Sequence, residues 1–320
     1  MPVITGAAGF LYSKDAGQTF LQPILSPVVL VPLGSHFEIE ANAQLQGLIA
    51  RSSPGGPYEG SFFPSIQYMQ LDYIVNSHLT IVAGRFYRPF NIYGERLGPI
   101  WVHNLQDGPL IYPIGTRTSG SSDGGMLRGV VASRPTWLLN YTVFFSTLSN
   151  VKYFEAGRAF GARSGIFFPE SRFEIGMSYE RFLQDQHINS YGAYISWQPP
   201  EAPVDLKGEY AHSPQGHGYW LEAAYRFKES QRFGSVLKNV QPIVRGQQFF
   251  RLAPGTNDFL PGVNTQRVDV GLNYYLPHEV RLNASYGRQL SGVGNSNNWT
   301  IDITYRFLFP MPFYPKGANQ

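Results

Sequence analysis

Polar and apolar residues alternate along most of this chain with a period of two. In Phe37–Gln46, Phe37, Ile39, Ala41, Ala43 and Leu45 fall on one face, and Glu38, Glu40, Asn42, Gln44 and Gln46 fall on the other. A strand with one dry and one wet face gives this pattern, and a helix does not. It recurs in Val204–Tyr210, Val268–Tyr274 and Val280–Tyr286. In Trp299–Phe307, Thr300, Asp302, Thr304 and Arg306 oppose Trp299, Ile301, Ile303, Tyr305 and Phe307. Sixteen such segments fit between residues 5 and 309. The second, 19–32, is the weakest, because Pro23 and Pro27 have no N–H for a ladder. Without the first two the count falls to fourteen.

The connections sort into two kinds. Every second one is tight, as at Gly34-Ser35, Asn76-Ser77-His78, Arg134-Pro135-Thr136 and Leu276-Pro277-His278, with 229–238 the exception. The alternate ones are mostly longer: 52–62, 89–122, 149–157, 252–265 and 290–297. Short turns at one end and long loops at the other suit an outer-membrane barrel with its short turns in the periplasm. An even strand count then places both termini in the periplasm.

A soluble β-sandwich also alternates, but it hides its apolar face in a protein core. The segments here reach about ten residues, the length of a tilted membrane strand. Charges recur on the wet face strand after strand. Aromatics gather at strand ends, among them Phe86, Tyr87, Trp197, Phe249, Phe250 and Trp299, as rings do at a membrane–water interface. The expectation is therefore an all-β, transmembrane, antiparallel up-and-down barrel of sixteen strands, forming one domain over 1–320.

Composition narrows the alternatives. Hydrophobic residues make up 43%, yet the mean hydropathy is −0.20, and no apolar stretch reaches the roughly 18 residues of a membrane helix. A net charge of +3 with no basic run gives no footprint for nucleic acid. There is no cysteine, and the seven histidines show no zinc spacing. No G-x-S-x-G signature is present. Neither a cofactor, a metal nor an enzyme activity is expected. Met1-Pro2-Val3 opens without a basic, apolar leader; since an exported protein needs one, a mature or trimmed form is expected.

The run Leu79-Thr80-Ile81-Val82-Ala83-Gly84-Arg85-Phe86-Tyr87-Arg88-Pro89-Phe90 resembles the G-basic-F…PF strand end of the phosphate-selective porin O and P superfamily. Tyr93-Gly94-Glu95-Arg96-Leu97-Gly98-Pro99 and Asn104-Leu105-Gln106-Asp107 are similar to its porin-like branches. The ending Tyr305-Arg306-Phe307 resembles the aromatic signal read by the barrel assembly machinery. The resemblance implies a diffusion channel of sixteen strands in outer-membrane lipid, a possible homotrimer, and a third extracellular loop folded into the lumen. That loop would be 89–122, the longest connection.

Such a barrel leaves a water-filled channel. Alternation turns Arg128, Arg163, Lys207, Arg226, Arg245, Arg267, Arg281 and Arg306 toward the lumen. It turns eleven acids the same way: Glu38, Glu40, Asp72, Glu174, Glu180, Asp205, Glu209, Glu222, Asp269, Glu279 and Asp302. Phosphate selectivity needs a one-signed ladder of cations. This face is mixed, so the resemblance does not extend to phosphate. Arg88, Glu95, Arg96, His103, Asp107 and Arg117 are the candidate constriction charges, with Leu97, Ile100, Trp101, Leu105, Leu110 and Ile111 docking the loop on the wall. A passive porin for small hydrophilic solutes or ions is the expectation. A transporter of hydrophobic compounds, suggested by the apolar loop, and a plugged structural or adhesive barrel are the alternatives.

Overall fold

The computed structural model describes all residues except 16, 52–54, 116–119, 152–154, 185–186, 228–236, 255–257 and 312–320. The first eight strands are β1 (Val3–Asp15), β2 (Gln18–Leu33), β3 (Phe37–Arg51), β4 (Tyr58–Asn76), β5 (Leu79–Tyr87), β6 (Ser121–Arg134), β7 (Trp137–Thr147) and β8 (Ala159–Phe168). The remaining eight are β9 (Phe173–Phe182), β10 (Asn189–Trp197), β11 (Val204–Ser213), β12 (Gly216–Tyr225), β13 (Val240–Arg251), β14 (Thr265–Leu276), β15 (Val280–Ser291) and β16 (Gly294–Pro310). One short helix, α1 (Tyr93–Arg96), interrupts the β5–β6 connection.

The strands form one closed antiparallel barrel in chain order, and β1 closes on β16 from Val3↔Pro310 to Asp15↔Asn298. Closure removes both sheet edges, so ladder groups are paired around the ring. Sixteen strands are present rather than fourteen. The proline-bearing β2 holds because β1 pairs along its whole length. Toward β3 the ladder skips 22–23 and 26–27. There the Asn42 side chain donates to Pro27 O at 2.9 Å and to Ser26 Oγ at 3.0 Å, replacing ladder bonds.

Two expected loops are shorter than the sequence suggested. β4 starts at Tyr58, inside 52–62. β15 and β16 meet across only Gly292 and Val293, so 290–297 is mostly strand. Two-residue turns therefore occur at both ends, and the asymmetry rests on the spans 148–158 and 252–264 and above all on the 33-residue span 88–120 between β5 and β6. The 229–238 connection lies almost wholly outside the described residues.

The radial pattern inverts that of a soluble protein. Outward positions are apolar and exposed, with Met177 at 69%, Ile301 at 58% and Leu221 at 53%. Inward positions are polar and buried, including Asn273, Asn283, Thr300 and Asp269. Exposed apolar area on this scale is unfavourable in water and suits a hydrocarbon surround.

Candidate functional site

The inner face is built by alternation, so every second residue of β8–β16 presents a side chain to one shared space. The 88–120 segment meets those side chains. At its base Arg88 Nη1 donates to Glu180 Oε1 at 3.0 Å and to Gly115 O at 3.2 Å, with both ionic side chains fully buried. Asn91 takes a φ of 53°, a left-handed conformation that Asn tolerates. Its carbonyl accepts from Arg163 Nη1, its N–H donates to Ser178 Oγ, and its Nδ2 donates to Tyr210 O. Gly192 makes room for it: a Cβ there would stand 2.2 Å from Asn91 Oδ1.

The helix α1 begins on Glu209. One carboxylate oxygen accepts the N–H groups of Ile92 and Tyr93, both at 2.7 Å, and the other accepts Trp220 Nε1–H at 3.0 Å. The first N–H groups of a helix have no partner within it, so this carboxylate satisfies two of them. Glu95 pairs with Arg163. Arg96 Nη1 reaches Glu174 Oε2 at 2.6 Å, while Tyr194 Oη donates to Glu174 Oε1. Burial alone would lower the Arg96 pKa, but the hydrogen bond and charge of Glu174 raise it.

Beyond α1 the chain crosses to β15. Arg281 donates to the carbonyls of Ile100, Trp101 and His103 at 2.8, 3.0 and 2.7 Å. Ile100 packs on Ala7, Leu11 and Ile24 of β1 and β2. Asn104 Nδ2 donates to Asp205 and Glu222, and its carbonyl accepts from Asn273 and Asn283. Asp107 Oδ2 accepts from Arg267 at 2.8 Å and Asn298 at 2.7 Å, and its backbone oxygen accepts from Arg245 at 2.6 Å. The Leu110 N–H donates to Gln247 Oε1.

Apolar contacts follow the same course. Phe90, Tyr93, Leu97, Ile111 and Ile114 cluster with Ala211, Trp220 and Phe249, and Leu105 packs with Ala224 and Ile243. Gly271 lets Leu105 approach: a Cβ at 271 would stand 2.5 Å from its Cδ2. His103 lies in the same layer, stacked on Tyr93 with ring centroids 5.0 Å apart. Burial pushes its pKa down to about 3, and the charges of Arg281, Arg245 and Lys207 add to the effect.

The candidate charges therefore divide. Arg88, Glu95, Arg96, His103 and Asp107 sit in this packed layer, and Arg117 lies outside the described residues. Of the wall residues, Arg163, Arg245, Arg267, Arg281, Glu209 and Glu222 hold the segment. Lys207 pairs with Asp205 at 2.5 Å. Asp269 takes both Arg245 and Arg267. Asp302 receives one 3.5 Å hydrogen bond from Gln106. Arg128 pairs with Asp72. Arg226, over the Tyr275 ring at 4.1 Å, and Arg306, 3.8 Å from Glu279, lie toward the short-turn end, in a pocket shared with Trp101 and Arg281.

Sequence reasoning missed the roles of Trp220 and Phe249. Phe249 was expected in an aromatic girdle, but it is 0% exposed and packs inside. The signal was available: Phe249 shares its face with Arg245 and Gln247, and Trp220 shares its face with Glu222.

The hydrogen bonds of the segment run to β8, β9 and β11–β16, and its apolar contacts extend to β1 and β2. Toward β3–β6 a cavity of about 190 Å³ remains, lined by Glu40, Tyr68, Gln70, Tyr87, Glu95 and Arg128, with Phe86 and Met126. Beside it on β2 and β3, Gln44 donates to Gln46 and Gln46 to Gln22, a short chain of amides.

No family model and no curated protein matches this chain. Solved structures do match. A high-pH structure of OprB from Pseudomonas putida superposes with a TM-score of 0.62 at 10% identity, covering 96% of this chain and 94% of that one. OmpF of Salmonella typhi, in complex with daunomycin, gives 0.59 at 14% identity, covering 96% and 97%. An anion-selective porin from Comamonas acidovorans gives 0.57 at 9% identity, covering 96% and 99%. At these identities the likeness is one of fold, and the fold is that of the porin barrels.

Proposed function

We propose that this protein is a bacterial outer-membrane porin, a passive channel for small hydrophilic solutes or ions. The 88–120 segment lies across its lumen as the constriction. One observation carries the reading: the segment hydrogen-bonds to inward side chains of eight strands yet leaves a polar cavity against β3–β6. The apolar outer surface supports lipid as the surround. The polar inner surface supports water as the content. Val3 of β1 and Pro310 of β16 pair at the end that carries the 34–36 and 77–78 turns, which supports periplasmic termini.

The apolar residues of the segment favour this reading over transport of hydrophobic compounds. Ile100, Leu105 and Ile111 are buried against the wall as anchors, so they line no greasy path. Relation to the phosphate-selective porins rests on the 79–107 motifs. Assembly as a homotrimer and recognition of the Tyr305-Arg306-Phe307 end by the barrel assembly machinery belong to the same proposal.

The test is single-channel conductance in planar bilayers for the intact protein and for a variant lacking residues 97–114. The proposal expects discrete steps from the intact protein and larger steps from the variant. Equal steps would remove the constriction role. Absence of steps from the intact, folded protein would favour a plugged barrel.

A further inference from the structure

Resting on the porin reading, we infer that the open path prefers cations, and that Glu38 and Glu40 on β3 set this preference. The chain as a whole is basic, with a net charge of +3, so composition points the other way. The distribution of partners reverses it.

Inward arginines are plentiful, but the constriction segment consumes them. Arg88 is spent on Glu180, and Arg163 on Glu95 and the Asn91 carbonyl. Arg267 is spent on Asp107 and Asp269. Arg281 is spent on three backbone carbonyls. Arg245, Arg163 and Arg88 are all more than nine-tenths buried. These guanidinium groups fix the segment and do not line the cavity against β3–β6.

The side left open carries the opposite balance. Among its described lining residues the cavity against β3–β6 has one cation, Arg128, and Asp72 neutralises it. Glu95 is matched by Arg163. Glu40 has a single 3.4 Å hydrogen bond, from the Gln70 amide, and no ion pair among the described residues. Glu38 precedes it by two residues on the same face, opposite Asp72 in the ladder and without an ion pair among the described residues. Both are partly exposed. The slot's lining thus holds one carboxylate in excess, Glu40, flanked by neutral amides and the Tyr68 and Tyr87 rings, and Glu38 adds a second two residues along the same face of β3.

A unit charge about 7 Å from a passing ion, in water-like dielectric and screened at about 0.1 M salt, enriches counter-ions and depletes co-ions enough to change their ratio about threefold. Two such charges along one face of β3 therefore shift the ratio about ninefold.

The experiment is reversal potential in a potassium chloride gradient, across bilayers holding the intact protein and the variants Glu40→Gln and Glu38→Gln/Glu40→Gln. The intact protein is expected to pass potassium at least about threefold better than chloride, with the ratio falling about threefold for each carboxylate removed. Heat-modifiable migration on gels checks that each variant is folded. The intact protein alone already decides the sign, so a variant that fails to fold leaves the inference testable. A chloride preference in the intact protein overturns the cation inference and leaves the porin reading standing. A potassium preference unchanged in the double variant overturns the assignment to Glu38 and Glu40. A folded protein that passes no current overturns both readings.

Discussion

Removing the Glu209 carboxylate should release the start of the constriction segment. Glu209 is 6% exposed and accepts three N–H groups, from Ile92, Tyr93 and the Trp220 indole. In Glu209→Ala all three donors lose their partner in a dry layer, at about 1–3 kcal/mol each. Part of that loss is offset because the desolvated carboxylate disappears too, so a net cost of about 3–5 kcal/mol to docking is expected, as for breaking other buried ionic contacts. A 3 kcal/mol loss raises the undocked fraction by about two orders of magnitude, since 1.4 kcal/mol is tenfold. Glu209→Gln is milder. Its oxygen still faces Ile92 and Tyr93, but its NH₂ then opposes the indole N–H, costing about 1–3 kcal/mol. The assays are hydrogen exchange at the Ile92 and Tyr93 amides and single-channel recordings. Exchange should accelerate in the order Ala, Gln, wild type, and Ala should give noisier, larger steps. Unchanged exchange in a folded Glu209→Ala protein would refute the clamping role.

Three further outcomes are expected. His103 is held neutral, with its pKa at about 3 against an ordinary 6.5. Its contribution to docking is therefore complete above pH 6.5 and is lost progressively as the pH falls toward 3. At pH 4.5, two pH units below the ordinary value, the loss is about 3 kcal/mol. Exchange at 100–107 should rise between pH 7 and 4.5 relative to a His103→Phe protein measured at the same pH values; identical ratios would exclude His103. Gly271→Val should displace Leu105, which already stands 2.5 Å from the position of an added Cβ; a conductance and thermal stability equal to wild type would show that the contact is unimportant. Arg281→Leu should leave the carbonyls of Ile100, Trp101 and His103 unpaired, costing about 3 kcal/mol or more, and limited proteolysis near residue 100 should report it; an unchanged cleavage pattern would count against the clamp.

Much of the barrel was legible because its rule is local. A lipid-facing strand must alternate, and Phe37–Gln46 and Trp299–Phe307 do so without exception. The prolines of β2 misled in weight, because the compensating donor, Asn42, is fifteen residues from Pro27. The β15–β16 turn was hidden because Asn295–Asn298 carry no apolar alternation, although they continue the ladder. The constriction segment was legible as a long connection with both charges and apolar anchors. Its partners were not, since Arg281 bonds to residues about 180 positions away. The face of Arg281 followed from sequence; whether it met water, a solute or a backbone carbonyl did not. That distinction turned Arg163, Arg245, Arg267 and Arg281 into a framework and left Glu40 in the slot, and Glu38 beside it on β3, without an ion pair among the described residues.

The claim that solutes pass between the constriction segment and β3–β6 is tested most directly by thiol labelling. The chain has no cysteine, so Glu95→Cys introduces a unique thiol on the segment side of the cavity. If the path runs there, a bulky thiol reagent added during single-channel recording lowers the current through each open channel in discrete steps. An unchanged current through protein shown by mass spectrometry to be fully labelled would contradict the account.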